Sequence, residues 1–383
     1  MSSERPIYLD CAATTPPDPR VIELMHHYLA VEFGNQGSRT HDYGARARTA
    51  VEHARDQIAA VVGARRSEVI FTSGATEANN LAIFGVMLSA GPKHIVTTAI
   101  EHPSVMEPII ELEARGFQVT RIIPTSGGWV DAQEVLSAVR QDTALISVMH
   151  VNNETGVIQP ISEIAEGLDK SDVLLHVDAA QGFGKIVETL RHPRIDLISV
   201  SAHKIGGPQG VGALIARRRG GLRLHPIMFG GGQEGGLRPG TLPAHLIAGF
   251  GLAAELAVHE ADERLQRATE FRARILKQLL PINYEVNGDA TRTTPYILNL
   301  SFPGLDNEQV IDAWSDFVAV SNGAACASQR NHCSHVLNAM GIGGQRAAGA
   351  VRLSWYQCSE TPDLMALVDA LRAIPAGRDE RIA

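Results

Sequence analysis

Lys204 ends an apolar run, "RIDLISVS", and opens a glycine-rich turn in "SAHKIGGPQG". A lysine at the end of a buried strand must reach water, neutralise a charge, or offer its amine as a reagent. Upstream, Asp178 follows the apolar run "VLLHV", His102 follows "IVTTAIE", and Thr76 lies in "SGATE" just after "VIFT". An amine, a carboxylate, an imidazole and a hydroxyl at a helix start form one chemical set. The amine can make a Schiff base with an aldehyde, and the carboxylate can keep a pyridinium nitrogen protonated. The N–H groups that open the "SGATE" helix, with Thr76, can take a phosphate. His102 adds a ring to stack on a coenzyme and a proton carrier that titrates near neutrality. Taken singly, each has a plainer use: a snorkelling lysine, an aspartate N-cap, a histidine on a loop carbonyl, a capping threonine. Jointly they point to pyridoxal phosphate.

The surrounding pattern says how such residues would be positioned. Short apolar runs ("EVIFTSG", "HIVTTAI", "FQVTRIIP", "ALISVMHV", "VLLHVDAA") alternate with helical spacing ("AVEHARDQIAAVVG", "TEANNLAIFGVMLSA", "SVMEPIIELEARG", "AQEVLSAVR", "SEIAEGLDK"). Continuous apolar strands separated by amphipathic helices predict a mostly parallel sheet covered on both faces, an α/β fold. Ligands in such sheets gather at the carboxyl ends of the strands. Thr76, His102, Asn153, Asp178 with Gln181, and Ser201 with His203 and Lys204 all fall just after strand runs. From about residue 245 the texture changes to a long helical stretch and then a mixed segment with strands "YILNLSF", "VAVSNGAAC" and "AVRLSWY". The expected division is a large domain over residues 17–258 and a smaller α+β domain from 1–16 and 259–383.

Composition narrows the class. The 383 residues are 44% hydrophobic and 20% charged, as in ordinary globular proteins. A formal charge of -8 argues against direct nucleic-acid binding. No run has the length of a membrane span, and the opening "MSSERPIYLDCAATTPPDP" lacks a signal-peptide core. Four cysteines, Cys11, Cys326, Cys333 and Cys358, are too few for a disulfide framework, so a reducing, cytoplasmic setting is expected. No metal site is expected either: Cys326, His332 and Cys333 have no matching ligand cluster elsewhere in the chain.

The motifs "YLDCAATTP", "FTSGATEANNLAI", "EHPSV", "MHVNNETG", "HVDAAQ", "SAHKIGGPQGVG", "RPGTLP" and "SNGAACAS" resemble, in order and spacing, those of the pyridoxal-phosphate cysteine desulfurases. The resemblance covers essentially the whole chain and implies a type I aminotransferase-like fold working as a homodimer. It also implies roles. Lys204 would be the Schiff-base lysine, Asp178 the pyridinium partner and His102 the stacked ring. Gln181 would bond the phenolic oxygen, with Asn153 beside that oxygen and the substrate. Ala75 (through its backbone), Thr76, Ser201 and His203 would hold the phosphate, and Thr241 would reach the phosphate bound by the other subunit. Arg352, in "VRLSW", would grip the substrate carboxylate.

What separates a desulfurase from other pyridoxal enzymes is a second nucleophile. The resemblance gives that role to Cys326, whose thiolate would take the sulfur of L-cysteine as a persulfide and release alanine. His102 is a candidate base, with His332 and His335 as alternatives. Cys333, seven positions on, could be inert, form a disulfide or receive the sulfur; Cys11 and Cys358 read as small packing residues. The spacing from Cys326 to "SHVL" matches the longer-loop subgroup, which passes sulfur to acceptor proteins. "AACAS", "RPGT" and "WYQCSE" depart from the usual forms, and "FGNQGSRTH" and "VAVSNGAACAS" resemble the branch serving DNA phosphorothioation. Iron–sulfur cluster assembly and tRNA thiolation stay open as destinations. So do two other functions: a selenocysteine or cysteine lyase using the cofactor alone, and a non-enzymatic sulfur-transfer scaffold.

Overall fold

The computed structural model describes residues 5–90, 93–217, 223–323, 334–356, 359 and 362–374. Cys326, His332, Cys333 and Cys358 lie outside them. The strands in chain order are β1 (Ile7–Tyr8), β2 (Val69–Thr72), β3 (His94–Thr98), β4 (Gln118–Ile122), β5 (Thr143–Met149) and β6 (Leu174–Asp178). There follow β7 (Leu197–Ser201), β8 (Gly212–Ala216), β9 (Glu285–Val286), β10 (Ile297–Ser301), β11 (Val318–Ala319) and β12 (Ala350–Ser354). The helices that matter most are α1 (Pro19–Ala30), α2 (Asp42–Val61), α3 (Ala75–Ala90) and α4 (Pro103–Ala114).

Seven strands form one sheet in the order β2-β8-β7-β6-β5-β3-β4. All its pairings are parallel except those of β8, which runs antiparallel to both β2 and β7. The expected mostly parallel sheet is therefore present, with one reversed strand. Its reversal comes from the "GGPQG" turn, where Gly206 and Gly210 take φ of 82° and 83°, a region that glycine enters without strain. The central strands are buried along their length because helices cover both faces. On one face Ala78, Leu81 and Ile83 of α3 pack with Val105 and Ile109 of α4 against Leu145, Leu197 and Leu214. On the other, Val51, Ala54 and Ile58 of α2 pack with Phe250 and Ala254 against Val177, Ile198 and Val200.

The second sheet, β12-β10-β9, is antiparallel. The N-terminal arm is tied to β12: β1 pairs with β11 in a separate two-stranded sheet, and Cys11 N–H and Ala12 N–H donate to the carbonyl and hydroxyl of Ser354 at 3.1 and 2.8 Å. That stitching fixes the backbone of residues 10–15 beside the end of β7.

β2 is an open edge of the large sheet, and its hydrogen-bonding groups are taken by side chains. Phe71 N–H donates to Glu234 Oε2 at 2.7 Å, and Arg55 Nη1 donates to Val69 O at 2.8 Å. Arg55 and Glu234 also pair with each other, with Glu234 held at φ 51°.

At Gly212 on β8, an added Cβ would stand 2.5 Å from Val200 O and 2.7 Å from Gly74 Cα. Gly212→Ala must push β8 from β7 or displace the Gly74 turn, at a cost of about 1–3 kcal/mol. Urea unfolding should show a lowered midpoint; an unchanged midpoint would contradict this close approach.

Candidate active site

A cleft of about 380 Å³ opens at the carboxyl ends of the parallel strands. Ala75, Thr76, His102, Asn153, Asp178, Gln181, Ser201, His203 and Lys204 all line it, so nine of the residues singled out in the sequence converge. A roomier hollow of about 880 Å³ lies at the β2 edge among Arg55, Arg66 and Glu234, away from these groups. Thr241 is exposed on the loop before the helix Ala244–His259 and does not line the cleft. Arg352 is not among the lining residues either. It is buried on β12, where Nη1 donates to Asn153 O at 2.9 Å and Nη2 pairs with Asp10 Oδ1 at 2.6 Å.

Asp178 ends β6 and is 6% exposed. Its carboxylate accepts from Asn79 Nδ2 at 2.8 Å and from Ala180 N–H at 3.0 Å. Among the described residues no cation pairs with it. A buried carboxylate so arranged suits a cationic ring nitrogen. Asn79 also donates to Ser104 Oγ at 2.8 Å, and Ser104 Oγ lies 2.8 Å from His102 Nδ1. Asn79 therefore ties the carboxylate to the imidazole. It is a buried amide on α3, next to the buried Ala78, Leu81 and Ala82. Asn80 follows it directly, so nothing in "ATEANNLAI" sets Asn79 apart by type alone.

His102 caps α4, with Pro103 at the first helical position. Its Nδ1 accepts from Ser104 N–H at 3.1 Å, which places the proton of the neutral ring on Nε2. Burial holds its pKa below the ordinary value against the opposing charge of Asp178, and Lys204 adds to the lowering. Lys204 sits in the turn Ala202–Lys204 that follows β7. Its Nζ donates to Ala12 O at 2.5 Å and Ala13 O at 2.6 Å, so the amine rests on two backbone carbonyls of the N-terminal arm. Gln181 Nε2 shares Ala12 O at 2.8 Å, while its buried Oε1 has no partner.

At the far side, α3 starts within the cleft lining at Ala75 and Thr76, and its first-turn N–H groups have no helical carbonyl to bond. Glu77 on that turn would repel an anion, but it accepts from Ser73 N–H and pairs with Arg238 at 2.9 Å. Ser201 and His203 complete this end, with His203 Nδ1 3.1 Å from Thr14 Oγ1. Helix start, hydroxyls and imidazole fit a phosphate, the carboxylate fits a pyridinium, and the amine fits an aldehyde. The donor set thus fits pyridoxal phosphate.

Beneath the cleft lies a buried carboxyl that the sequence reading passed over. Glu101 accepts from Thr98 Oγ1 at 2.7 Å and Met149 N–H at 2.9 Å, and burial pushes its pKa up to about 8. His335, at the start of a short helix, donates Nε2–H to Glu101 O at 3.0 Å, so that proton is engaged.

Burial pushes His150 and His176 down to about 4, and burial with the charge of Lys204 does the same for His203. Unfolded, these imidazoles protonate near pH 6.5; folded, they stay neutral to about 4. Their stabilisation is complete above pH 6.5 and is lost as pH falls toward 4, at about 1.4 kcal/mol per imidazole per unit. Glu101 opposes them with one proton of the other sign, since its folded pKa is raised. Three against one leaves a net loss on acidification, and urea midpoints should drop steeply from pH 6.5 to 5. A flat profile would contradict the buried neutral state. Asn79→Ala should cost about 1–3 kcal/mol by unfolding, because it strips a partner from a buried carboxylate.

The model of the aminotransferase class-V family matches residues 7–367. Curated proteins named cysteine desulfurase IscS are similar over most of their length. That of Vibrio cholerae O395 is 43% identical, covering 96% of this chain and 92% of its own. That of Pectobacterium carotovorum PC1 is 45% identical over 91% and 87%. Among solved structures, DndA from Streptomyces lividans is 45% identical with a TM-score of 0.79, covering 93% of this chain and 99% of its own. SspA in complex with cysteine is 36% identical with a TM-score of 0.81, over 91% and 98%. Sequence motifs, cleft and relatives agree, and the chain belongs to the cysteine desulfurase family within the class-V aminotransferases.

Proposed function

We propose that this protein takes sulfur from L-cysteine, releasing L-alanine and leaving a persulfide on Cys326 that an acceptor protein then receives. The observation that carries the reading is a buried carboxylate, Asp178, with no cation paired to it among the described residues, beside the end of the strand that precedes Lys204. Pyridoxal phosphate, when bound there, supplies an aldehyde for the amine and an aromatic ring that draws electrons from the α-carbon.

The chain's own groups divide the work. Asp178 holds a proton on the ring nitrogen, and Asn79 keeps that carboxylate oriented. Lys204 offers the amine and rests it on Ala12 O and Ala13 O when it is not engaged. His102 stacks and carries a proton at Nε2, the nitrogen left free by its helix cap. Ala75, Thr76, Ser201 and His203 would hold the phosphate, and Gln181 and Asn153 would bond the phenolic oxygen. Arg352 holds the substrate carboxylate: among the described residues its buried Nε has no partner, and the Nε–Nη2 edge suits a bidentate carboxylate.

Sulfur transfer needs a thiol within reach. Arg352 Nη1 lies 2.9 Å from Asn153 O, on the cleft wall, and 3.5 Å from Gly323 O. Cys326 is three residues beyond Gly323, a span of at most about 11 Å. The step balances: substrate C–S and enzyme S–H bonds break, C–H and S–S bonds form, and the persulfide keeps the substrate's sulfur proton. The protein works as a homodimer in which Thr241, exposed on each chain, reaches the phosphate held by the other, and it operates in the cytoplasm. No described helix is long and apolar enough to cross a membrane.

Purified protein should be yellow and form alanine from L-cysteine. Cys326→Ser should keep the colour and lose at least 100-fold in persulfide and alanine formation, about 3 kcal/mol of barrier. Unchanged turnover in that variant would instead mark a lyase that uses the cofactor alone, and a colourless protein that cannot be reconstituted would mark a scaffold. Thr241→Ala should weaken cofactor retention in the dimer; equal retention would remove the cross-subunit contact.

A further inference from the structure

Arg352 carries more information than a general carboxylate anchor. The residue is 3% exposed, and the polar contacts of its guanidinium are uneven. Nη1 is engaged by Asn153 O and Gly323 O, Nη2 by a single oxygen of Asp10, and Nε by none of the described residues. A carboxylate that met Nε and Nη2 together would satisfy the edge that Asp10 half fills. Asp10 is held from another direction. Its backbone bridges to Ser354, and its carbonyl accepts from Ala13 N–H at 2.9 Å and Tyr8 Oη at 3.0 Å. Its side chain is 19% exposed, so it has water on one side when it leaves the guanidinium.

We propose that Asp10 is a resident stand-in for the α-carboxylate of the amino acid, occupying Arg352 until the substrate displaces it. This rests on the reading of Arg352 as the substrate's anchor. The stand-in keeps a buried guanidinium from being left uncompensated, which would be costly. It also sets a threshold: only a ligand with its own carboxylate can repay the broken pair, so amines lacking one gain nothing at Arg352. Arg352 thereby selects for a carboxylate, and Asp10 sets how much of that affinity an amino acid keeps, while plain amines are untouched by the exchange.

A second contact gives the exchange a consequence. Ala12 and Ala13, which follow Asp10 in the same turn, supply the two carbonyls that hold Lys204 Nζ. Carboxylate recognition and amine handling thus meet in one four-residue turn, so the displaced Asp10 and the released amine draw on the same backbone.

The test uses the holoenzyme with Cys326→Ser, so that ligands bind without turnover, and follows the cofactor's visible absorbance. The probes are L-alanine and, lacking the carboxylate, cysteamine. Asp10→Asn keeps the shape but replaces a charge-assisted bond by a neutral one. L-Alanine should then bind about 5- to 10-fold tighter, the difference between a charged and a neutral hydrogen bond, with cysteamine unchanged. In the enzyme with its cysteine, the same substitution should lower KM for L-cysteine more than it changes kcat. Weaker L-alanine binding in Asp10→Asn would overturn the proposal and make Asp10 an orienting partner of Arg352. Equal shifts for L-alanine and cysteamine would overturn it too, by placing the effect on the amine. Arg352→Lys separates the underlying reading: if it leaves L-alanine affinity unchanged, the anchor itself is elsewhere. Thermal melts of each variant, with Asp10→Glu for comparison, show whether a loss of binding is a loss of fold.

Discussion

A carboxylate taken out of water, with no cation beside it among the described residues, is the constraint around which this molecule is arranged. Asp178 has an amide and one backbone N–H for company, enough to orient it but not to neutralise it. Burying such a charge costs several kcal/mol unless something compensates. The sheet bears that cost because its central strands are clamped between two helical layers, a rigid body in which the end of β6 cannot retreat to solvent. The neighbouring imidazoles of His102, His176 and His203 are pushed toward neutrality, so they do not supply the missing positive charge. Preorganisation of this kind moves the cost of assembling the site into folding, where it is met once.

The N-terminal arm is the second organising element. Its turn touches Arg352 through Asp10, Lys204 through Ala12 and Ala13, Gln181 through Ala12, and His203 through Thr14. These partners are separated from it by about half to nearly all of the chain, so closing them demands that both sheets be formed. The site is accordingly a property of the complete fold. Its polar chemistry sits where the large sheet, the arm and β12 meet, a seam of the sort where ligand sites are commonly found.

Much of this was legible in the residues. Strand ends are marked by the switch from apolar runs to polar ones, and the fold places those ends on a common edge, so Thr76, His102, Asn153, Asp178, Ser201, His203 and Lys204 could be grouped before any coordinates. Other parts had no local signature. The carbonyls of Ala12 and Ala13 belong to the backbone, and nothing about alanine announces that its oxygen will hold an amine. The Asp10–Arg352 pair spans 342 positions and leaves no trace in periodicity. Asn79 looks no different from Asn80 beside it, and its two partners lie 25 and 99 positions away. The reversal of β8 could not be read from its apolar composition, because direction follows from the turn before it. The shared lesson is that residue type reveals which atoms can react, whereas long-range closure decides what restrains them.

The Glu234 cap on β2 has a consequence of its own. The loop that supplies it also brings Arg238 to Glu77 on the first turn of α3, so one ribbon both masks a sheet edge and braces the anion cradle. Loosening that ribbon would bare a row of main-chain donors and acceptors to passing strands while slackening the cradle. Coenzyme leakage and clumping should therefore travel together in damaged or heat-stressed molecules, two symptoms with a common mechanical origin.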